Sequence, residues 1–228
     1  ERAEPQPQPL GDVHPGCGGV DGGPFVEHAD EAGAGEGAAQ NDPRHRAGAI
    51  FRVGQGRMAA GAAALGWEFD AAGFDRAVQR DPQAGLRLRL TLDAAGQFEV
   101  TQAALPDSRP EWRLSLAEAR LSSADPWLRV KTTHRAVYDA ARAALPVDLD
   151  EIVFQNERGE VCDGSITTLF FDRGAGMRTP PLSAGLLPGV LRAELACPEE
   201  TLLAADLPHV RLWVGNALRG LIPAVWRG

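Results

Sequence analysis

The chain has 228 residues, a hydrophobic fraction of 44% and a formal net charge of −8, which gives length for one sizeable domain or two small ones. The acidic balance argues against a nucleic-acid partner, which calls for a basic face. No apolar run approaches the ~20 residues of a membrane helix, and the N-terminus has no signal-peptide core.

Residues 1 to 56 form an atypical Gly/Pro-rich segment. Large apolar residues are sparse there (Leu10, Val13, Val20, Phe25, Val26, Ile50, Phe51 and Val53), with no strand alternation and no helical stripe. So little apolar area does not offset backbone entropy, and the segment is expected to be disordered or an extended coil. From Arg57 the texture changes at once. Arg57 to Gly66 is an Ala-rich helix closing on glycine. Phe69 to Val78 reads as a second helix, with Phe74 and Val78 at i, i+4. Leu86 to Leu92 alternates strictly, and the Asp93–Gly96 turn leads into Gln97–Thr101, completing a hairpin. Glu111 to Leu121 alternates again.

Trp127 to Val130 is a short apolar strand, and Lys131 opens a helix running to about Ala144. Glu151 to Gln155 is an apolar run that enters a polar turn. A carboxylate-Gly-Ser step follows, then Leu169–Phe171, and the whole reads as a hairpin. Val190 to Ala196 is helical, Thr201 to Asp206 a turn or short helix, and Val210 to Val214 a strand. Helices and strands mix without regular βαβ alternation, so the fold class is α+β.

Three features carry chemistry. Lys131 is the only lysine in the chain, at a strand-to-helix junction whose apolar surroundings lower an amine's pKa toward the nucleophilic range. It reads equally as a leftover surface lysine. Asp163 before Gly164 is either a turn residue or an anion placed under a pyridine nitrogen. Pro188-Gly189 ahead of a helix offers free amides and a close approach, as an anion loop does. Arg57 and Arg192 are candidate counter-charges, though arginines are more often solvated. Amine, carboxylate and phosphate cradle are the groups needed to hold pyridoxal phosphate. The three cysteines, Cys17, Cys162 and Cys197, lack metal-site spacing and read as free thiols in a reducing cytoplasm. No metal site is expected.

Together these segments resemble the class IV aminotransferase family, the fold-type IV pyridoxal-phosphate enzymes, and among them the aminodeoxychorismate lyases. The matching pieces are Lys131-Thr-Thr-His-Arg-Ala-Val-Tyr138-Asp, Asn156-Glu-Arg-Gly-Glu to Asp163-Gly-Ser, Leu182 to Arg192, and Trp213-Val-Gly-Asn-Ala-Leu218. The resemblance spans Arg57 to the C-terminus and implies two domains. Residues 57–124 would be the remainder of a small α/β domain, and 125–228 a larger, β-rich cofactor-binding domain.

It further implies that Lys131 is the Schiff-base lysine and general acid/base. Asp163 stands where the family usually has glutamate, as partner of the pyridinium nitrogen. Val190 and Leu191, beside Gly189, would offer amides to the phosphate, and Arg57 would reach it from the small domain. Arg135, Ser165, Thr167 and Asn216 fall near the ring or phosphate, and Thr168 replaces a usual asparagine. Nothing in residues 1–56 matches the family's opening strands, which motivates the hypothesis that this stretch is out of frame. Reading the gene in its other two frames tests this, and no family-like peptide in either sinks it.

The activity implied is a lyase that converts 4-amino-4-deoxychorismate to p-aminobenzoate and pyruvate, in folate-precursor synthesis. The alternatives are a D- or branched-chain amino-acid transaminase on the same scaffold, or a catalytically impaired non-enzyme if the first segment is expressed as written. Expected partners are a small-molecule substrate and, by analogy, a second copy in a homodimer.

Overall fold

The structure is a computed structural model that describes residues 25–29, 43–78, 86–104 and 109–228. Its first region holds strand β1 (Phe25–Ala29), helices α1 (Pro43–Ala64) and α2 (Ala71–Val78), and strands β2 (Leu86–Leu92) and β3 (Phe98–Ala104). The strands form an antiparallel sheet in the order β1-β2-β3. Asp93 builds the β2–β3 turn, its carboxylate accepting from the amides of Ala95 and Gln97, while Gly96 supplies the left-handed φ of +74°.

The expectation of disorder over residues 1–56 is corrected at β1 and along α1, which begins at Pro43 rather than Arg57. Proline suits the first helical position because its missing N–H has no intrahelical acceptor there. The helix then survives its glycines by packing. Phe51, Met58 and Ala62 face Phe74, Leu90 and Leu92 in one apolar cluster, so tertiary burial overrides local propensity. The rest of the segment, with the out-of-frame reading, lies outside the described residues.

The second region is built on a six-stranded sheet in the order β6-β5-β4-β9-β8-β7, formed by β4 (Trp112–Leu121), β5 (Glu151–Asn156), β6 (Val161–Gly164), β7 (Thr168–Asp172), β8 (Arg211–Asn216) and β9 (Gly220–Trp226). β4 runs parallel to both β5 and β9, and the other pairs are antiparallel. The amide of Gly164 donates to the carbonyl of Thr167 at 2.8 Å, so the two end strands meet and the sheet curls into a barrel-like form. This corrects the expected hairpin: β5 pairs with β6, whereas the Leu169–Phe171 run belongs to β7 and pairs with β8.

Helix α3 (Ala136–Ala143) lies over Phe154, Cys162 and Leu186, and α4 (Val190–Leu195) follows Gly189. Two local expectations change here. Trp127–Val130 is not a strand, because Asp125 accepts from the amide of Trp127 at 2.9 Å and Pro126 opens a single 3-10 turn, Pro126–Arg129. The helix starts at Ala136 and not at Lys131, because the Thr132 hydroxyl accepts from the amide of His134 and Arg135 donates to the carbonyl of Thr133. Lys131 is thereby left on an irregular link between two short helical turns. Among the described residues no helix is long and apolar enough to cross a membrane.

Candidate active site

A cavity of about 260 Å³ opens between the sheet's closing edge, α3, α4 and the link that carries Lys131. Arg57, Lys131, Arg135, Asp163, Ser165, Thr167, Gly189, Val190, Leu191 and Asn216 all line it. Residues as far apart in sequence as Arg57 and Asn216 are therefore brought to one cavity. Arg57 comes from α1, which packs against α4.

Asp163 is the next-to-last residue of the buried strand β6. Burial pushes its carboxyl from the ordinary 3.8 up to about 7. The amide of Leu187 and the hydroxyl of Tyr138 pull it back, the charge of Glu151 pushes it further, and that of Lys131 lowers it. Both oxygens are held: Oδ1 accepts from the Tyr138 hydroxyl and Oδ2 from the Leu187 amide, each at 3.3 Å. Tyr138 is the chain's only tyrosine. It rests edge-on against Phe154 at 4.8 Å, with the Arg135 guanidinium 5.5 Å from its ring centre. Its own ionisation is driven far upward, first by burial and then by the charge of Asp163, so it acts as a hydrogen-bond donor.

The opposite wall is made by the start of α4. A Cβ at Gly189 would lie 2.7 Å from Thr168 Oγ1, so a side chain there would require the Thr168 hydroxyl to move. Val190 and Leu191 contribute the first turn of the helix, where amides have no intrahelical acceptor. Between these walls the Gly164–Thr167 stretch is tightly held. Arg135 donates to the carbonyl of Ser165 at 2.7 Å and pairs with Asp139 at 2.8 Å. Asn216 donates to the carbonyl of Ile166 at 3.1 Å, while its own carbonyl accepts from the amides of Leu218 and Arg219. His134 and Trp127 lie side by side on the rim, their ring centres 4.6 Å apart.

Arg192 is a correction. Its side chain donates to Thr179 Oγ1 and the carbonyl of Pro180, both at 2.7 Å, and pairs with Glu199. It knits α4 to the Thr179–Pro180 segment and does not line the cavity. Sequence reasoning missed Tyr138 and Glu151. Tyr138 carried a usable signal, since a tyrosine on the buried face of a helix needs a partner for its hydroxyl. Glu151 carried a weaker one, a carboxylate in phase with Val153 on a strand that is otherwise buried and mostly apolar.

The residues present fit pyridoxal phosphate. An amine, a buried carboxylate fixed at both oxygens, and a glycine whose missing Cβ clears the approach to a helix start share one cavity. Fold and site together make an α+β protein whose cavity is lined by groups suited to this cofactor. Residues 55–225 match the family model for amino-transferase class IV, and the chain belongs to that family, whose members use pyridoxal phosphate.

Solved structures agree. A provisionally assigned amino-acid aminotransferase from Mesorhizobium loti is 34% identical, with a TM-score of 0.76 over 91% of this chain and 100% of that one. The 4-amino-4-deoxychorismate lyase of Pseudomonas aeruginosa superposes with a TM-score of 0.70 at 18% identity, over 90% of this chain and 82% of that one. The fold IV-transaminase CpuTA1 of Curtobacterium pusillum gives 0.69 at 21% identity, over 94% and 82%. No curated protein matches the chain.

Proposed function

We propose that the chain is a pyridoxal-phosphate-dependent lyase that converts 4-amino-4-deoxychorismate to p-aminobenzoate and pyruvate. The observation that carries the cofactor assignment is the convergence of Lys131, Asp163 and the Gly189–Leu191 turn on one cavity. When bound, pyridoxal phosphate supplies an electron sink for negative charge developing on the substrate. Lys131 holds the cofactor through its amine and then moves the proton on the reacting carbon. Asp163 would hold the ring nitrogen through its carboxylate, which a neighbouring cation would keep ionised. The amides of Val190 and Leu191, the open approach at Gly189 and the guanidinium of Arg57 receive the phosphate. Arg135, Ser165, Thr167 and Asn216 frame the wall between them.

The lyase is supported by the Asn216-Ala217-Leu218 segment, which resembles that of the lyases and lines the cavity. An aminotransferase is the second reading, supported by the 34% identity to the Mesorhizobium loti protein over its whole length. Incubation with aminodeoxychorismate, set against an amino acid with a 2-oxo acid, separates them: p-aminobenzoate and pyruvate in the first mixture alone support the lyase, and amino exchange in the second supports the transaminase. The proposed assembly is a homodimer, resting on the family resemblance, and sedimentation velocity tests it.

The cofactor assignment has its own test. Purified protein mixed with pyridoxal phosphate is expected to develop a visible absorption band that Lys131→Ala lacks. A missing band in the unaltered protein returns the chain to the impaired, non-enzyme reading.

A further inference from the structure

Glu151 is completely buried, lies behind the cavity wall and commits its carboxylate to one short stretch of chain. Its Oε1 accepts from the amide of Ser165 at 3.0 Å and from the Ser165 hydroxyl. Its Oε2 accepts from the amide of Ile166 at 3.1 Å and from the Thr167 hydroxyl at 2.8 Å. The amide of Ile152 adds a bond at 2.9 Å, and the half-buried guanidinium of Arg142 stands 3.5 Å away. Gly164 makes the approach possible. A Cβ there would fall 2.5 Å from Thr167 Oγ1 and 2.8 Å from the Glu151 carboxyl carbon.

The arrangement reassigns two of the residues that line the cavity. The hydroxyls of Ser165 and Thr167 are donated to Glu151, so these side chains shape the loop before they touch anything inside the cavity. A buried donor stripped of its acceptor bears the full cost of desolvation, and a partly satisfied buried network is costlier than a satisfied one. Removing this carboxylate takes an acceptor from the amides of Ile152, Ser165 and Ile166 and from two hydroxyls at once, on a loop whose donors begin two residues beyond Asp163; the Ser165 amide then keeps only the carbonyl of Ile152, at 3.1 Å.

We infer that Glu151 is a positioning residue for the site: its buried carboxylate folds the Gly164–Thr167 loop around itself and so fixes the wall that adjoins Asp163. Its effect on cofactor affinity rests on the pyridoxal-phosphate reading above, whereas its effect on the loop does not. The charge of Glu151 also reaches Asp163 and raises its pKa, so the two carboxylates are linked electrostatically as well as through the chain.

Glu151→Gln tests this through two readouts, taken at a temperature where circular dichroism shows both proteins folded. Hydrogen exchange of the Ile166 amide is expected to quicken about tenfold or more, and that of Ser165, which also donates to the carbonyl of Ile152, by less, with the β7 amides of Leu169 to Phe171 unchanged. Pyridoxal phosphate affinity, followed by absorbance, is expected to fall about tenfold. Gly164→Ala crowds the same groups and is expected to give both changes, the double variant losing little beyond either single one.

Unchanged exchange in folded Glu151→Gln overturns the inference, as does quickened exchange with undiminished affinity. If the unaltered protein shows no Lys131-dependent band, the cofactor reading fails on its own, and exchange alone decides whether Glu151 sets the loop. Should Glu151→Gln not fold, Thr167→Val removes one donor and is judged by exchange at Ile166 in the same way.

Discussion

The two regions of the molecule hold themselves together differently. In the first, Met58, Ala62, Phe74, Leu90 and Leu92 make a wholly apolar core ringed by Phe51, Trp67, Phe69 and Phe98. In the second, every strand from β5 to β7 is almost fully buried, and polar side chains are buried with it. Among the described residues each buried polar side chain, from Thr132 through Glu151, Asp163 and Thr167 to Arg192, belongs to the second region. Apolar packing is non-directional and tolerates exchange of one hydrophobe for another. A buried carboxylate dictates which donors surround it and where. The first region thus serves as a support that lends Arg57 to the cavity, while the second specifies the site atom by atom.

The largest break in that comparison should come from Phe74→Ala. Loss of a fully buried ring is expected to cost ~3–5 kcal/mol, read by denaturant unfolding. Below the lowered melting temperature the cofactor band should remain, because Phe74 touches the support and not the cavity.

Asp163 gives an effect spread over pH. Its raised pKa means the folded chain binds a proton that the unfolded chain has lost between pH 3.8 and about 7. That stabilisation is complete below the unfolded value. It falls away as pH rises through the folded one, at about 1.4 kcal/mol per pH unit within the interval. Asp163→Asn should remove this slope from the cofactor-free protein. A slope that persists in the variant assigns the proton to another group.

Gly215→Ala is a smaller probe within the second region. A Cβ there would sit 2.2 Å from the Gly220 carbonyl and 2.6 Å from Leu191, and overpacking of this kind costs ~1–3 kcal/mol. Because Leu191 carries part of the proposed phosphate wall, cofactor affinity should fall together with stability, unlike the outcome at Phe74. The smallest effect is expected from Tyr138→Phe, about 1 kcal/mol for a single hydrogen bond. Losing that donor should move the Asp163 titration upward, and a downward move would mean the hydroxyl does not stabilise the carboxylate.

Much of this is legible in the sequence. The alternation of Leu86–Leu92 and of Glu111–Leu121 announced β2 and β4 closely, because side-chain period follows from backbone geometry alone. Lys131 stood out as the only lysine, and Gly189 as the glycine ahead of a helix, confirmed as the residue before α4. Where local reading failed, a contact from elsewhere in the chain or a short side-chain bond had prevailed. Helix α1 runs to Pro43 because Phe51 meets Phe74, their ring centres 5.1 Å apart. The helix after Lys131 waits until Ala136 because Thr132 captures the amide of His134.

The sequence by itself determined the α+β class, the order of most elements and the small set of residues able to do chemistry, since composition and periodicity act over a few residues at a time. Only the tertiary structure decided which of them meet. Glu151 reaches Ser165 across 14 residues and Tyr138 reaches Asp163 across 25, while Arg192 is drawn away from the cavity by Thr179, Pro180 and Glu199. The physical reason is that a buried charge must find its partners on whichever strands lie beside it, and strand neighbours are fixed by the closing of the sheet.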